Sequence, residues 1–188
     1  AIDFKIKLPV KEEPEEMLLT GNDAIALGAL ASGLQFYAAY PMTPSSSILH
    51  YLASKAVSEK IIVKHAEDEI SVINMALGAS HAGVRSMIGT AGGGFSLMVE
   101  ALGLAGMTET PLVIIEAQRP GPATGLPTWT EQADLRFVLH AAQGEFPRII
   151  LAPGDHEAQL FVVADARLTF GPMGLCAVVD CLDSPAGS

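Results

Sequence analysis

Positive charge is what this chain has least of: eleven Lys and Arg stand against twenty-one Asp and Glu, a formal net charge of −10. No basic run offsets it, so attraction to a phosphate backbone or an anionic lipid surface is excluded as a principal role. Long apolar runs are missing too. No segment reaches the roughly 18 uninterrupted apolar residues of a membrane helix, and the opening AIDFKIKLPVKEEPEE lacks the apolar stretch of a secretory signal. Neither nucleic acid nor membrane is expected as a partner, and a cytoplasmic setting is the expectation.

Cysteine is scarce. Cys176 and Cys181 lie in one apolar run at an odd separation, which puts them on opposite faces of a strand. They are expected in the core, unpaired with each other. The five histidines are scattered; the nearest approach to ligand spacing is His65 with Glu69, short of the about four ligands of a structural zinc. No metal is expected on this chain. Charged residues are only 17% of the whole, below the roughly 25% usual in soluble domains, and the apolar surface this leaves implies a partner.

What the chain does contain is a repeated alternation of strand-like and helix-like segments. FYAAY (36–40), IIVKH (61–65), RSMIGT (85–90), PLVIIEAQ (111–118), RIILA (148–152) and LCAVVDC (175–181) are near-continuous apolar runs, the pattern of parallel strands covered on both faces. Between them NDAIALGALASG (22–33) has Asn22 as N-cap and Gly33 as stop, and SSSILHYLASKAV starts on capping serines. EDEISVINMALGASHAG opens on acids that suit a helix N-terminus, FSLMVEALGLAGM follows a triple glycine, and DHEAQLFVVADARL follows Pro153 and Gly154. The prediction is an α/β domain over residues 21–188, a doubly wound parallel sheet of about six strands with helices on both faces, preceded by an acidic arm at residues 1–20. Ligands of such sheets sit beyond the carboxyl ends of the strands. YPMTPSSS, KHAEDE, GTAGGG and QRPGPATGLPT all fall there.

Familiar site chemistries do not fit these loops. GTAGGGF (89–95) has Phe95 and Ser96 where a phosphate-gripping loop needs Lys and a hydroxyl, and Leu97 where the dinucleotide fingerprint needs its third glycine. No G-x-S-x-G elbow occurs. Thr43 and the serines after it read locally as turn and cap residues, and the glycines as a device for close helix packing.

Taken together, GNDAIALGALASG, YPMTPSSSILHYLA, EDEISVINMALGASHAGVRSM, GFSLMVEALGLAGMTETPLVII and QRPGPATGLPTWTEQADL, in that order from about Gly21 to Leu135, resemble the α subunit of the 2-oxoacid:ferredoxin oxidoreductases, particularly the 2-oxoglutarate type. The resemblance implies the pyrimidine-binding domain of the thiamine diphosphate fold. It implies oxidative decarboxylation of a 2-oxoacid with coenzyme A, giving acyl-CoA, carbon dioxide and reduced ferredoxin. It places Thr43 and Arg119 against the substrate, and Tyr40, Pro41, Glu69, Gly92, Gly93 and Gly94 against the cofactor. Glu69 is the catalytic residue: it opens a small-residue helix, stands nine residues before Gly78, and shares a proton with N1′ of the aminopyrimidine. A helix N-terminus favours its anion and burial beneath a cofactor opposes that. Arg119, a planar permanent cation at a Pro- and Gly-stiffened turn, suits a carboxylate.

The resemblance also implies what stands elsewhere. A β subunit carries the diphosphate-binding domain, the Mg2+ and the iron–sulfur cluster, and the α chains continue beyond this one, so the chain is expected to be a piece inactive by itself. The loop written TSGPGF in relatives is TAGGGF here, and Trp129 stands at a place commonly polar or basic. Two other functions keep the fold: a non-catalytic scaffold subunit, and a subunit of a non-oxidative thiamine diphosphate decarboxylase.

Overall fold

A computed structural model describes residues 18–119 and 134–152, together with the backbone of 176–181. Its elements are α1 (Gly21–Ala31), β1 (Phe36–Ala39), α2 (Ser46–Glu59), β2 (Ile62–His65), α3 (Glu69–His81), β3 (Ser86–Thr90), α4 (Gly92–Met107), β4 (Leu112–Ala117), α5 (Asp134–His140), β5 (Arg148–Leu151) and β6 (Cys176–Cys181). All six expected strands are present, each within a residue or two of its apolar run. They form one sheet in the order β2-β1-β3-β4-β6-β5, every neighbouring pair parallel.

Parallel strands need crossovers, and the helices supply them on two faces. Every second strand residue points the same way, so Ala38, Ile88, Leu112 and Ile114 join α3, α4 and Val138 in one apolar layer. Tyr37, Ala39, Met87 and Ile115 join α1 and α2 in the other. The chain leaves β1 toward β2 and leaves β3 toward β4, in opposite directions, so β1 and β3 flank the point where the winding reverses and a crevice opens at their carboxyl ends.

Helix ends are where the expectations need correction. Thr20, not Asn22, caps α1: its hydroxyl accepts from Asp23 N at 3.2 Å while Asp23 Oδ2 accepts from Thr20 N at 3.2 Å, a reciprocal pair that Asn22, already the second helical residue, stands too late to form. Asn22 donates instead to Pro44 O (2.9 Å) and Ser47 Oγ (2.6 Å), pinning α1 to the turn after β1. Gly33 does end α1, with φ +82° just past the last helical turn. Ser45 stands at the start of α2 without a side-chain cap bond, because its hydroxyl donates back to Met42 O at 2.7 Å. Asp68, expected inside the first turn, is the N-cap of α3, accepting from Ser71 N at 2.7 Å. The triple glycine does not precede α4 but is its first turn, Ala91 being the extended cap (φ −142°). The helix α5 has no counterpart among the expected segments. The expected helix in 155–168, the acidic arm up to residue 17 and the side chains of Cys176 and Cys181 lie outside the described residues.

Gly78, in α3, has nothing among the described residues within 4 Å of where a Cβ would stand. Its helical backbone gains from a side chain in lost unfolded-state freedom alone. Gly78→Ala is expected to stabilise the chain by about 0.5–1 kcal/mol, read as a rise in the denaturant midpoint at unchanged slope.

Candidate active site

The site assembles around the first turn of α4. Strand β3 ends at Thr90, fully buried between β1 and β4, and the chain turns at Ala91 into the three glycines. Helix α3 starts beside it, so two helix N-termini meet over the sheet with their free N–H groups and positive dipole ends together. Glu69 is the first residue of α3 and is 5% exposed. Its Cγ and Oε1 lie 2.9 Å from the position a Cβ on Gly94 would take, and Thr90 Oγ1 crowds the same point. A side chain at Gly94 would therefore displace the carboxylate. The absence of one is what admits it.

On the other flank of this turn stands Asp134, the first residue of α5. Both its carboxylate oxygens lie 3.2 Å from where a Cβ on Gly92 would be. Its Oδ2 is buried and meets no hydrogen-bond donor among the described residues. Burial pushes its pKa up, and the Arg119 charge pulls it partly back. Arg119 follows the end of β4 and donates from Nη1 to Thr43 O at 3.2 Å, a contact across 76 residues that brings two sequence-predicted positions together. Thr43 itself is exposed, in the turn between β1 and α2; Tyr40 is 38% exposed and Pro41 half-buried. The result is one arc, Thr43 to Arg119 to Asp134 and Gly92 on one side, Gly94, Thr90 and Glu69 on the other, with half-buried Gly93 between.

A carboxyl group whose folded-state pKa is raised gives stability that is complete below its unfolded value and lost as pH rises through the folded one. Asp134→Asn removes that loss. The variant is expected to melt above wild type at neutral pH, with the difference closing as pH falls below the ordinary aspartate value of about 3.9; melting curves across pH measure it.

Of the expected positions, His65 and Glu69 gain no third metal-ligating neighbour among the described residues. Thr90 and Asp134 were not singled out in the sequence. A threonine in a strand and an aspartate after a Pro- and Gly-rich stretch of sequence carry no local mark, and only packing on the glycines gives them meaning. Trp129 lies outside the described residues.

Comparison with known proteins gives the arc its context. The profile described as pyruvate flavodoxin/ferredoxin oxidoreductase, thiamine diP-bdg, matches residues 27–172. The chain is 48% identical over 162 residues to the 2-oxoacid:ferredoxin oxidoreductase subunit alpha of Saccharolobus solfataricus, covering 80% of this chain and 25% of that one. It is 40% identical over 152 residues to the 2-oxoglutarate synthase subunit KorA of Archaeoglobus fulgidus, covering 81% of this chain and 44% of the relative. Among solved structures, the 2-oxoglutarate:ferredoxin oxidoreductase from Magnetococcus marinus with 2-oxoglutarate, coenzyme A and succinyl-CoA bound superposes with a TM-score of 0.82 at 38% identity, over 96% of this chain and 32% of that one. This chain thus spans from about a quarter to under half of the length of these relatives.

Proposed function

The chain belongs to the pyruvate flavodoxin/ferredoxin oxidoreductase family, within its thiamine diphosphate-binding part, and on that premise we propose that it is the aminopyrimidine-holding half of an active site for oxidative decarboxylation of a 2-oxoacid. The observation that carries the proposal is Glu69: a carboxylate 5% exposed, opening a helix at the crevice where the winding reverses, over a glycine that leaves it room.

The residues present fit the cofactor. Thr90 offers a buried hydroxyl with no partner among the described residues, and a Glu69 oxygen lies beside it over Gly94, whose missing side chain makes room for both. Thiamine diphosphate, when bound, supplies the nucleophilic thiazolium carbon and the electron sink for loss of carbon dioxide. The chain's own part is proton handling and orientation. Glu69 holds a proton at N1′ of the aminopyrimidine and gives or takes it as the ring changes tautomer, the work of a positioned general acid and base. Arg119, tied to the Thr43 carbonyl, presents its remaining N–H donors to a substrate carboxylate, and Tyr40 and Pro41 wall the same end of the crevice.

With 2-oxoacid, coenzyme A and oxidised ferredoxin consumed, the products are acyl-CoA, carbon dioxide and reduced ferredoxin. A β subunit supplies the diphosphate-binding domain, the Mg2+ and the iron–sulfur cluster. Ile70 (53% exposed) on α3 and Leu97 (53%) and Met107 (84%) on α4 leave apolar area that supports such a partner. No described helix is long and apolar enough to cross a membrane, which suits a cytoplasmic enzyme. The test is reconstitution of this chain within its complete subunit, with a β subunit, thiamine diphosphate, Mg2+, coenzyme A and a panel of 2-oxoacids, following ferredoxin or dye reduction. Reduction that needs both the 2-oxoacid and coenzyme A is the expected result. Carbon dioxide release without reduction would assign the chain to non-oxidative decarboxylation, and no turnover with any acid would leave a scaffold.

A further inference from the structure

Thr90 closes β3 with no exposed surface, and its Oγ1 meets no partner among the described residues. A buried hydroxyl without a partner is destabilising, and valine has almost the same shape, so a purely structural position has reason to be apolar. In the stretch 89–94, from the end of β3 into α4, it is the sole side-chain hydroxyl, since the rest is Gly89, Ala91, Gly92, Gly93 and Gly94. Its oxygen and the Glu69 carboxylate press on the same small space above Gly94, yet no hydrogen bond joins them. Glu116, opposite Thr90 in the register of β4, is buried too and already engaged.

We propose that Thr90 is a positioning residue: its hydroxyl donates to the Glu69 carboxylate when that side chain turns to the aminopyrimidine, fixing the rotamer in which the proton passes. The two groups flank one point, so a change in the Glu69 side-chain torsions closes the gap without moving the backbone. A charge-assisted bond of this kind is short and directional, which suits a carboxyl that has to meet one ring nitrogen. A buried hydroxyl with no partner among the described residues, beside a carboxylate in a crevice, is the kind of unsatisfied group that collects at functional sites. The inference rests on Glu69 as the residue serving the aminopyrimidine.

The experiment compares Thr90→Val, Thr90→Ser and Glu69→Gln in the assembled enzyme. It measures exchange of the thiazolium C2 proton of bound thiamine diphosphate in deuterated buffer, the affinity for thiamine diphosphate, and melting before the cofactor is added. Thr90→Val is expected to slow exchange about tenfold, the scale of one charge-assisted hydrogen bond, with Thr90→Ser within about threefold of wild type. Cofactor affinity stays within about threefold, because the bond is made to Glu69 and not to the ring. The cofactor-free melting point of Thr90→Val is at or above that of wild type. Wild-type exchange in Thr90→Val overturns the proposal. So does slowed exchange accompanied by an equal loss of cofactor affinity, which would place the hydroxyl on the ring, and so does failure of serine to restore the rate, which would assign the role to the methyl group. Wild-type exchange in Glu69→Gln, by contrast, would remove the reading of Glu69 itself.

Discussion

Glu69→Gln is expected to lower turnover of the assembled enzyme by about 10²–10⁴-fold, the range a positioned general acid and base contributes. Glutamine keeps the length, the planar head and the packing against Gly94, so the fold should be untouched and the melting point near that of wild type. What it loses is the exchangeable carboxyl proton. At 5% exposure this side chain has no bulk water to borrow a proton from, so solvent cannot take over the task. KM for the 2-oxoacid should change little, because the substrate contacts proposed here belong to Arg119 and the turn after β1. Steady-state kinetics and a thermal melt decide the matter: a variant within a few-fold of wild type would dismiss Glu69 from the chemistry.

Gly94→Ala should do comparable harm by a different route. A Cβ there falls 2.9 Å from Glu69 Cγ and Oε1 and collides with Thr90 Oγ1, with the fully buried Phe95 next in the chain and little free space. Overpacking a filled core costs about 1–3 kcal/mol, so the variant should melt several degrees below wild type. The more telling loss is in rate, since moving a catalytic group by about 1 Å costs about 10²-fold. The same substitution at Gly78 is expected to stabilise. Opposite signs for one chemical change at two helical glycines, measured side by side by melting and by turnover, would separate a glycine kept for a neighbour's sake from one with no close neighbour among the described residues. Equal tolerance at both positions would contradict the geometry drawn around α4.

The strands were legible because two-sided burial leaves a strong mark. MIG within RSMIGT and LVII within PLVIIEAQ are continuous apolar cores, and β3 and β4 are indeed covered on both faces. Helix starts were not, since several polar residues in a row can each cap and the choice falls to tertiary contacts. Asn22 lost the cap of α1 to Thr20 because it is drawn to Pro44 and Ser47, and Ser45 because its hydroxyl turns back on Met42. Helix α5 escaped notice because DLRFVLH spans only seven residues, too few to display a period after a sequence rich in Pro and Gly. In the site, Glu69, Thr43 and Arg119 stood out through resemblance, and the structure joins Arg119 to Thr43 and seats Glu69 on Gly94. Asp134 and Thr90 became visible only when the glycines they cover were seen to be the opening turn of α4, a fact that the sequence, read with glycine as a helix breaker, argues against.

The sheet also divides the arc between its two faces. The turn bearing Thr43 leads into α2 and rests on the layer built with α1, while Glu69 and Thr90 belong to the layer of α3 and α4 on the opposite side. The two layers also meet at the crevice, through Arg119, which donates to the Thr43 carbonyl and whose charge acts on Asp134 beside Gly92. A substitution in either layer is therefore felt first at that guanidinium, the one described side chain that answers to both.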